Sequence, residues 1–264
     1  MPNLYGFGVR VFGCNIQVTS SSREAYTTLE RYVFPTLPRV IGFAKQPDLV
    51  MHIDRTGNRF QLSVNEGLVA SAHETIHLVP DLIRVLDDAV IPRLTTLRAV
   101  HAGTILWRGQ ALLLPGVSHA GKSSLVAAML RRGATYFSDE YALIDREGRV
   151  HPYPRPLLVR NGRPEQVPVL AGQYNASTGD APARIGWILA LKYVPTCTWS
   201  VASVSQSEAL MMLLQNTPHV LAESPGLVDV FRRAVSGAKC YAGKRSEAAD
   251  SVDQILQLVD SVAA

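Results

Sequence analysis

Runs of charge are missing from this sequence. Only 18% of its 264 residues are charged, 26 Lys and Arg against 22 Asp and Glu, and nowhere do five or six basic residues cluster. That excludes a polybasic nucleic-acid track and a self-repelling disordered chain, so no nucleic-acid partner is expected. Cysteine is sparse as well. Cys14, Cys197 and Cys240 are odd in number, far apart and without C-x-x-C spacing, so they read as core thiols in a reducing compartment. No stretch reaches 18 apolar residues, and MPNLYGFGVRVFG lacks the basic start and apolar core of a secretory signal. A cytoplasmic protein without a membrane partner is the expectation. Hydrophobic residues make up 47% of the chain, enough to fill a large core in one large domain or two smaller ones.

The texture changes near residue 98, which favours two. Residues 1–98 carry short alternating runs, YGFGVRVFG, NIQVTS, DLVMHID, RFQLSVN and GLVASA, that predict strands. Between the second and third, Ser20 to Ser22 offer N-caps for a helix marked by Ala25, Leu29, Tyr32 and Val33. A second helix is predicted from Asp81 until Pro92 ends it. This is a small α+β N-terminal module. Beyond it, HAGTILWRGQALLLPG predicts a hairpin around Arg108-Gly109-Gln110, and the segment from Asn161 to Pro182 reads as a long surface loop. The strands IGWILALKY and WSVASVS, a capping box at Ser205 and Glu208, a helix from Pro225, a strand KCYAG and a helix from about Glu247 to Val262 complete the chain.

Gly116-Val117-Ser118-His119-Ala120-Gly121-Lys122-Ser123 matches G-x-x-x-x-G-K-[ST] in full, between an apolar strand and a helix-forming run that opens at Ser124. Glycines let the backbone turn its N–H groups inward, and the following helix adds its positive end, so these residues form a candidate polyphosphate cradle. Lys122 would reach the β- and γ-phosphates, and Ser123 would ligate Mg²⁺. Downstream, TYFSDEYALID is a strand interrupted by Asp139 and Glu140. An acid so placed in P-loop proteins sits beside the γ-phosphate, where it holds metal or accepts a proton. YALID runs through Arg146-Glu147-Gly148 directly into RVHPY, leaving no room for a helical crossover, so the sheet must be mixed.

The stretch from Val100 to Asp145 resembles the catalytic domain of HPr kinase/phosphorylase and its relatives, the HPr-kinase-like serine kinases. It has a His-Ala-Gly strand, a hairpin, the P-loop, an Arg-Gly helix end and a paired acid. The resemblance implies an α/β P-loop kinase domain over residues 99–264, with a mixed sheet similar to that of phosphoenolpyruvate carboxykinase. It implies ATP and Mg²⁺ as cofactors and transfer of a phosphoryl group to a serine hydroxyl. By the same resemblance, Asp139 accepts the serine proton, His101 is the active-site histidine before the P-loop strand, and Glu140 assists with metal or orients Asp139. Three departures stand out. His119 occupies a position where the family usually has glycine, the Glu-Ile-Arg-Gly motif is replaced by PYPRPLLVR, and no Pro-Gly-Arg-Asn segment is evident, so phosphorylase activity is not implied. Arg155 and Arg160 are candidates for charge stabilisation in the replaced region, against an equally simple reading as surface residues.

The leading expectation is therefore a Mg-ATP-dependent kinase acting on a serine of a protein or peptide, with residues 1–98 recognising that partner. Free serine as acceptor, and a non-catalytic ATP-binding sensor, are the alternatives. Monomer and homo-oligomer are both open. Met211, Met212, Trp187 and Trp199 read as packing residues.

Overall fold

A computed structural model describes residues 4–37, 43, 45–116, 121–160 and 165–261. It has two compact units, and they are not consecutive: one holds Met1–Leu94 with Arg155–Leu170, the other Thr95–Pro154 with Ala171–Ala264.

In the first unit, β1 (Tyr5–Val11) and β2 (Cys14–Ser20) form a hairpin through Phe12 and Gly13, both at positive φ. Ser22 caps α1 (Arg23–Tyr32) by accepting from the Ala25 amide, and the helix buries Ala25, Leu29 and Tyr32. β3 (Leu49–Thr56) returns parallel to β2, and β4 (Arg59–Val64) and β5 (Gly67–Ala72) extend the sheet antiparallel in the order β1-β2-β3-β4-β5. α2 (Val79–Val90) begins two residues before the expected Asp81, with Pro80 in its first turn, where its missing N–H costs nothing. Pro92 lies in the 3-10 turn that ends it.

The chain enters the second unit through β6 (Leu97–Trp107) and β7 (Gln110–Pro115). Arg108 and Gly109 are both left-handed, φ 48° and 78°, which suits a two-residue hairpin turn. α3 (Lys122–Leu130), β8 (Thr135–Ser138), β9 (Tyr141–Asp145) and β10 (Arg149–His151) follow. Then the chain goes back to the first unit as an antiparallel ribbon of β11 (Leu157–Val159) and β12 (Val167–Val169). The expected loop from Asn161 to Pro182 thus contains a strand and a 3-10 turn at Ala171–Tyr174; residues 161–164 lie outside the described residues. The second unit resumes with β13 (Ala183–Tyr193), β14 (Ser200–Ser203), α4 (Gln206–Gln215), α5 (Leu227–Val235), β15 (Lys239–Arg245) and α6 (Ala248–Ser261). The capping box of Ser205 and Glu208 opens α4 as expected.

The eight-stranded sheet of this unit is mixed, as the β9–β10 turn requires. Its order is β10-β9-β6-β7-β13-β15-β14, with β8 also on β6 and β10 also on β13; β7, β13 and β15 run parallel. Helices cover both faces. Ala111 and Leu113 of β7 join the core formed with α4 and α5. Gly103, paired with Leu114, points to the opposite face, where a Cβ would come within 2.8 Å of Val126 on α3. Trp187 is buried, whereas Met211, expected in the core, is exposed, and Cys197 is only half-buried. Among the described residues no helix is long and apolar enough to cross a membrane.

Candidate functional site

Lys122, Ser123, Asp139, Glu140 and His101, all flagged in the sequence, gather at the carboxyl ends of the parallel strands, the edge where open α/β sheets hold ligands. Gly116 follows β7 and Gly121 precedes α3, so the two ends of the glycine-rich segment are in place; Val117, Ser118, His119 and Ala120 lie outside the described residues. Gly121 is left-handed, φ +76°, and a Cβ there would run into the Arg245 guanidinium. It caps α3 with no side chain, leaving the first-turn amides of Lys122, Ser123 and Ser124 to an anion and the helix dipole behind them.

Lys122 is buried and donates from Nζ to the Gly116 carbonyl at 2.9 Å, bridging the ends of the segment. Burial pulls its ammonium below the usual range, partly offset by the carboxylates of Glu140 and Asp139. Asp139 and Glu140 fill the two-residue break between β8 and β9. Asp139 is only 4% exposed; it accepts from the Tyr136 hydroxyl at 3.2 Å and from the Ser123 side chain. Burial pushes its pKa up to about 6; Glu140 pushes the same way, and the bonds from Ser123 and Tyr136 and the charge of Lys122 hold the rise back. Ser123 is half-buried and Ser124 exposed.

His101 is placed by strand pairing. It lies opposite Tyr141 across β6 and β9, with ring centroids 4.6 Å apart, and its carbonyl accepts from the Gly116 amide at 3.1 Å. Its Nδ1 is 3.3 Å from Glu140 Oε1, an ion-pair contact off the hydrogen-bond direction. Lys122, Ser123, Asp139, Glu140 and His101 therefore form one connected cluster.

Arg245 belongs to the same edge and carried no signal in the sequence. It ends β15, paired with Tyr193 at the end of β13, and it is fully buried. Nη2 donates to the Gly121 carbonyl at 3.0 Å, Nη1 to Ser246 at 2.9 Å, and the guanidinium lies over the Tyr193 ring. Burial lowers its pKa, with Glu247 the leading opposing charge. The strand expected at KCYAG runs on through Lys244 and Arg245, and only its register against β13 brings the arginine to the loop.

Arg155 and Arg160 both lie in the first unit, where Arg155 Nε pairs with Asp87 Oδ1 on α2 at 3.3 Å, both side chains buried, and Nη1 donates to the Thr36 carbonyl. That pair gives Arg155 a structural role inside the first unit.

Among the described residues no group of three or more His, Cys, Asp or Glu could enclose a metal. The site offers instead one hydroxyl, Ser123, and the carboxylates Asp139 and Glu140. That sparse oxygen set fits Mg²⁺, which keeps waters and takes its other ligands from substrate phosphates. No protein-family model and no curated protein matches the chain. In class, the chain is a mixed α/β protein, with several sheets and six α-helices among the described residues.

Proposed function

We propose that this protein is a Mg-ATP-dependent kinase that transfers the γ-phosphoryl group to a serine-type hydroxyl of a protein or peptide, on an HPr-kinase-like P-loop domain. The observation that carries the reading is Asp139: a buried carboxyl with a pKa near 6, bonded to Ser123 and within the field of Lys122, at the end of the glycine-rich segment. A group that titrates there is ionised at neutral pH and still basic enough to take a proton. The antiparallel strand β6 beside β7 supports the same reading, because it separates this sheet from purely parallel nucleotide-binding folds.

Each residue then has a task. The α3 amides and Lys122 hold the phosphates, and Arg245 fixes the carbonyl of Gly121, which keeps the loop end rigid. Ser123 and Glu140 would hold Mg²⁺, whose charge offsets that of the phosphate oxygens. Asp139 orients the acceptor hydroxyl and takes its proton as the serine oxygen bonds to the γ-phosphorus; the bond to the β–γ bridging oxygen breaks and ADP leaves. Glu140 lies 3.3 Å from His101, so the two side chains stand together beside Asp139.

The first unit is the natural place for acceptor recognition. Its edge strand β5 exposes Leu68 and Val69 on a side that pairs with no further strand among the described residues, a form that accepts an extended peptide. Truncation is a poor test, because Arg155–Leu170 packs with residues 1–94. Replacing Leu68 and Val69 by serine should lower acceptor phosphorylation and leave ATP binding intact.

The deciding experiment uses γ-labelled ATP and Mg²⁺ with free serine, small proteins and serine-containing peptides as acceptors, alongside Lys122→Ala and Asp139→Asn. Label transferred by wild type alone supports the kinase and shows its acceptor class. ATP binding without transfer, unaltered in Asp139→Asn, favours a nucleotide sensor instead.

A further inference from the structure

The opposite end of the same strands holds a second cleft, of about 520 Å³, lined by Gln110 where β7 starts, Arg184 where β13 starts, Arg233 near the end of α5, and Glu147, Gly148 and Arg149 around the β9–β10 turn. β7 is six residues long, so this cleft lies roughly 20 Å from the glycine-rich segment.

Its charge is out of balance. Arg149 and Arg184 are direct cross-strand partners in the β10–β13 ladder. Side chains so paired project to one face, and like charges there repel. Arg149 is compensated, since Asp145 Oδ2 accepts from its Nε and Nη2 at 3.0 Å each. Glu147 is claimed by Arg146 at 2.7 Å, with its other oxygen 3.7 Å from Arg149. Arg233 donates to a neutral acceptor, the Arg146 carbonyl, at 2.8 Å. Arg184 is exposed and has no hydrogen-bond or ion-pair partner among the described residues. Two of the three guanidinium charges around the cleft therefore lack an anion.

The walls are built to touch. Gly148 is left-handed, φ +81°, and a Cβ there would come within 2.6 Å of the Arg233 and Ala234 backbone, so only glycine seats the turn on the end of α5. Gly186 leaves room for the Gln110 side chain, which a Cβ would strike. Carbonyls at the end of α5, which would repel an anion, are taken by the amides of Ser236 and Ala238.

We propose that this cleft binds a small molecule bearing two or more negative charges, of the phosphomonoester or diphosphate class, held between Arg149, Arg184 and Arg233 with the Gln110 amide as a further donor. Guanidinium forks match phosphate oxygens bidentately, and the volume is that of a small-molecule site. An anion between Arg149 and Arg184 turns their repulsion into shared attraction. The inference is independent of the nucleotide reading.

The test titrates inorganic pyrophosphate into the isotope-labelled full chain and follows the backbone amide signals of Gly148, Arg149, Arg184 and Gly237. Because the P-loop reading also takes pyrophosphate, Lys122→Ala is titrated in parallel. Saturable shifts at these four amides are expected in both proteins, with affinity about tenfold weaker in Arg184→Gln and in Arg233→Gln, whose unfolding profiles match wild type. Shifts confined to Gly116 and Gly121, no saturable shift, or equal affinity in the two arginine variants would each overturn the proposal.

Discussion

Replacing Asp139 by asparagine should make the protein more stable at neutral pH while disabling it. In the folded chain the Asp139 carboxyl is buried and its pKa rises from 3.8 to about 6. That rise is a preference for the protonated form of about 3 kcal/mol. Between pH 3.8 and 6 the folded protein holds a proton that the unfolded chain has released, so stability falls as pH climbs through that window. Above pH 6 both states are ionised and the full cost is present. Asparagine has the same shape, can still accept from Tyr136 and Ser123 through its amide oxygen, and carries no charge to desolvate. Urea unfolding of both proteins, without nucleotide or Mg²⁺, should show almost no difference at pH 3.5. At pH 7.5 the variant should be more stable by about 3 kcal/mol, the gap opening between pH 4 and 6. A gap that does not vary with pH, or a variant less stable at pH 7.5, would refute the assignment of Asp139 as a desolvated carboxyl.

Other outcomes follow from the same geometry. The kcat/KM of phosphoryl transfer should fall tenfold per pH unit below about pH 6 and level off above it, since Asp139 of the free enzyme must be ionised to accept the proton; a pH profile of kcat/KM reads this directly. Saturating Mg-ATP, at a hundred times its Kd, should stabilise wild type by about 2.7 kcal/mol and leave Lys122→Ala unshifted in thermal denaturation. Gly121→Ala should cost about 1–2 kcal/mol in urea and weaken ATP binding at least tenfold, because the left-handed backbone and the Arg245 guanidinium both oppose a methyl group. Asp87→Ala should cost about 3–5 kcal/mol by leaving the Arg155 charge buried, with the ATP affinity of the folded protein unchanged.

Local signals in the sequence translated well where one segment specifies its own shape. Alternation marks β1 to β5, Ser22 caps α1, Ser205 and Glu208 box the start of α4, and Arg108-Gly109 turns the β6–β7 hairpin. The adjacency of Lys122, Ser123 and Asp139 was legible because strand-loop-helix spacing and the β8–β9 break are both written in short runs. What stayed hidden depends on distant pairing. Arg245 reaches Gly121 only through the parallel register of β15 on β13, and Arg155 finds Asp87 because the ribbon of β11 and β12 packs with a unit that ends 60 residues earlier in the chain. Neither register nor the partner of an isolated arginine has a periodic trace.

The return of Arg155–Leu170 to the first unit also sets a timetable. A ribosome that has released residue 94 must add the segment Thr95–Pro154 before the missing piece emerges, a wait of roughly 3 to 12 s at ordinary rates of synthesis. During that interval Arg155, which pairs with Asp87 in the folded chain, has not yet been made. The first unit therefore cannot be complete until the chain has grown through Leu170. Its completion and the growth of the second sheet are interleaved, so a pause in translation between residues 95 and 154 would hold the nascent chain with both units unfinished.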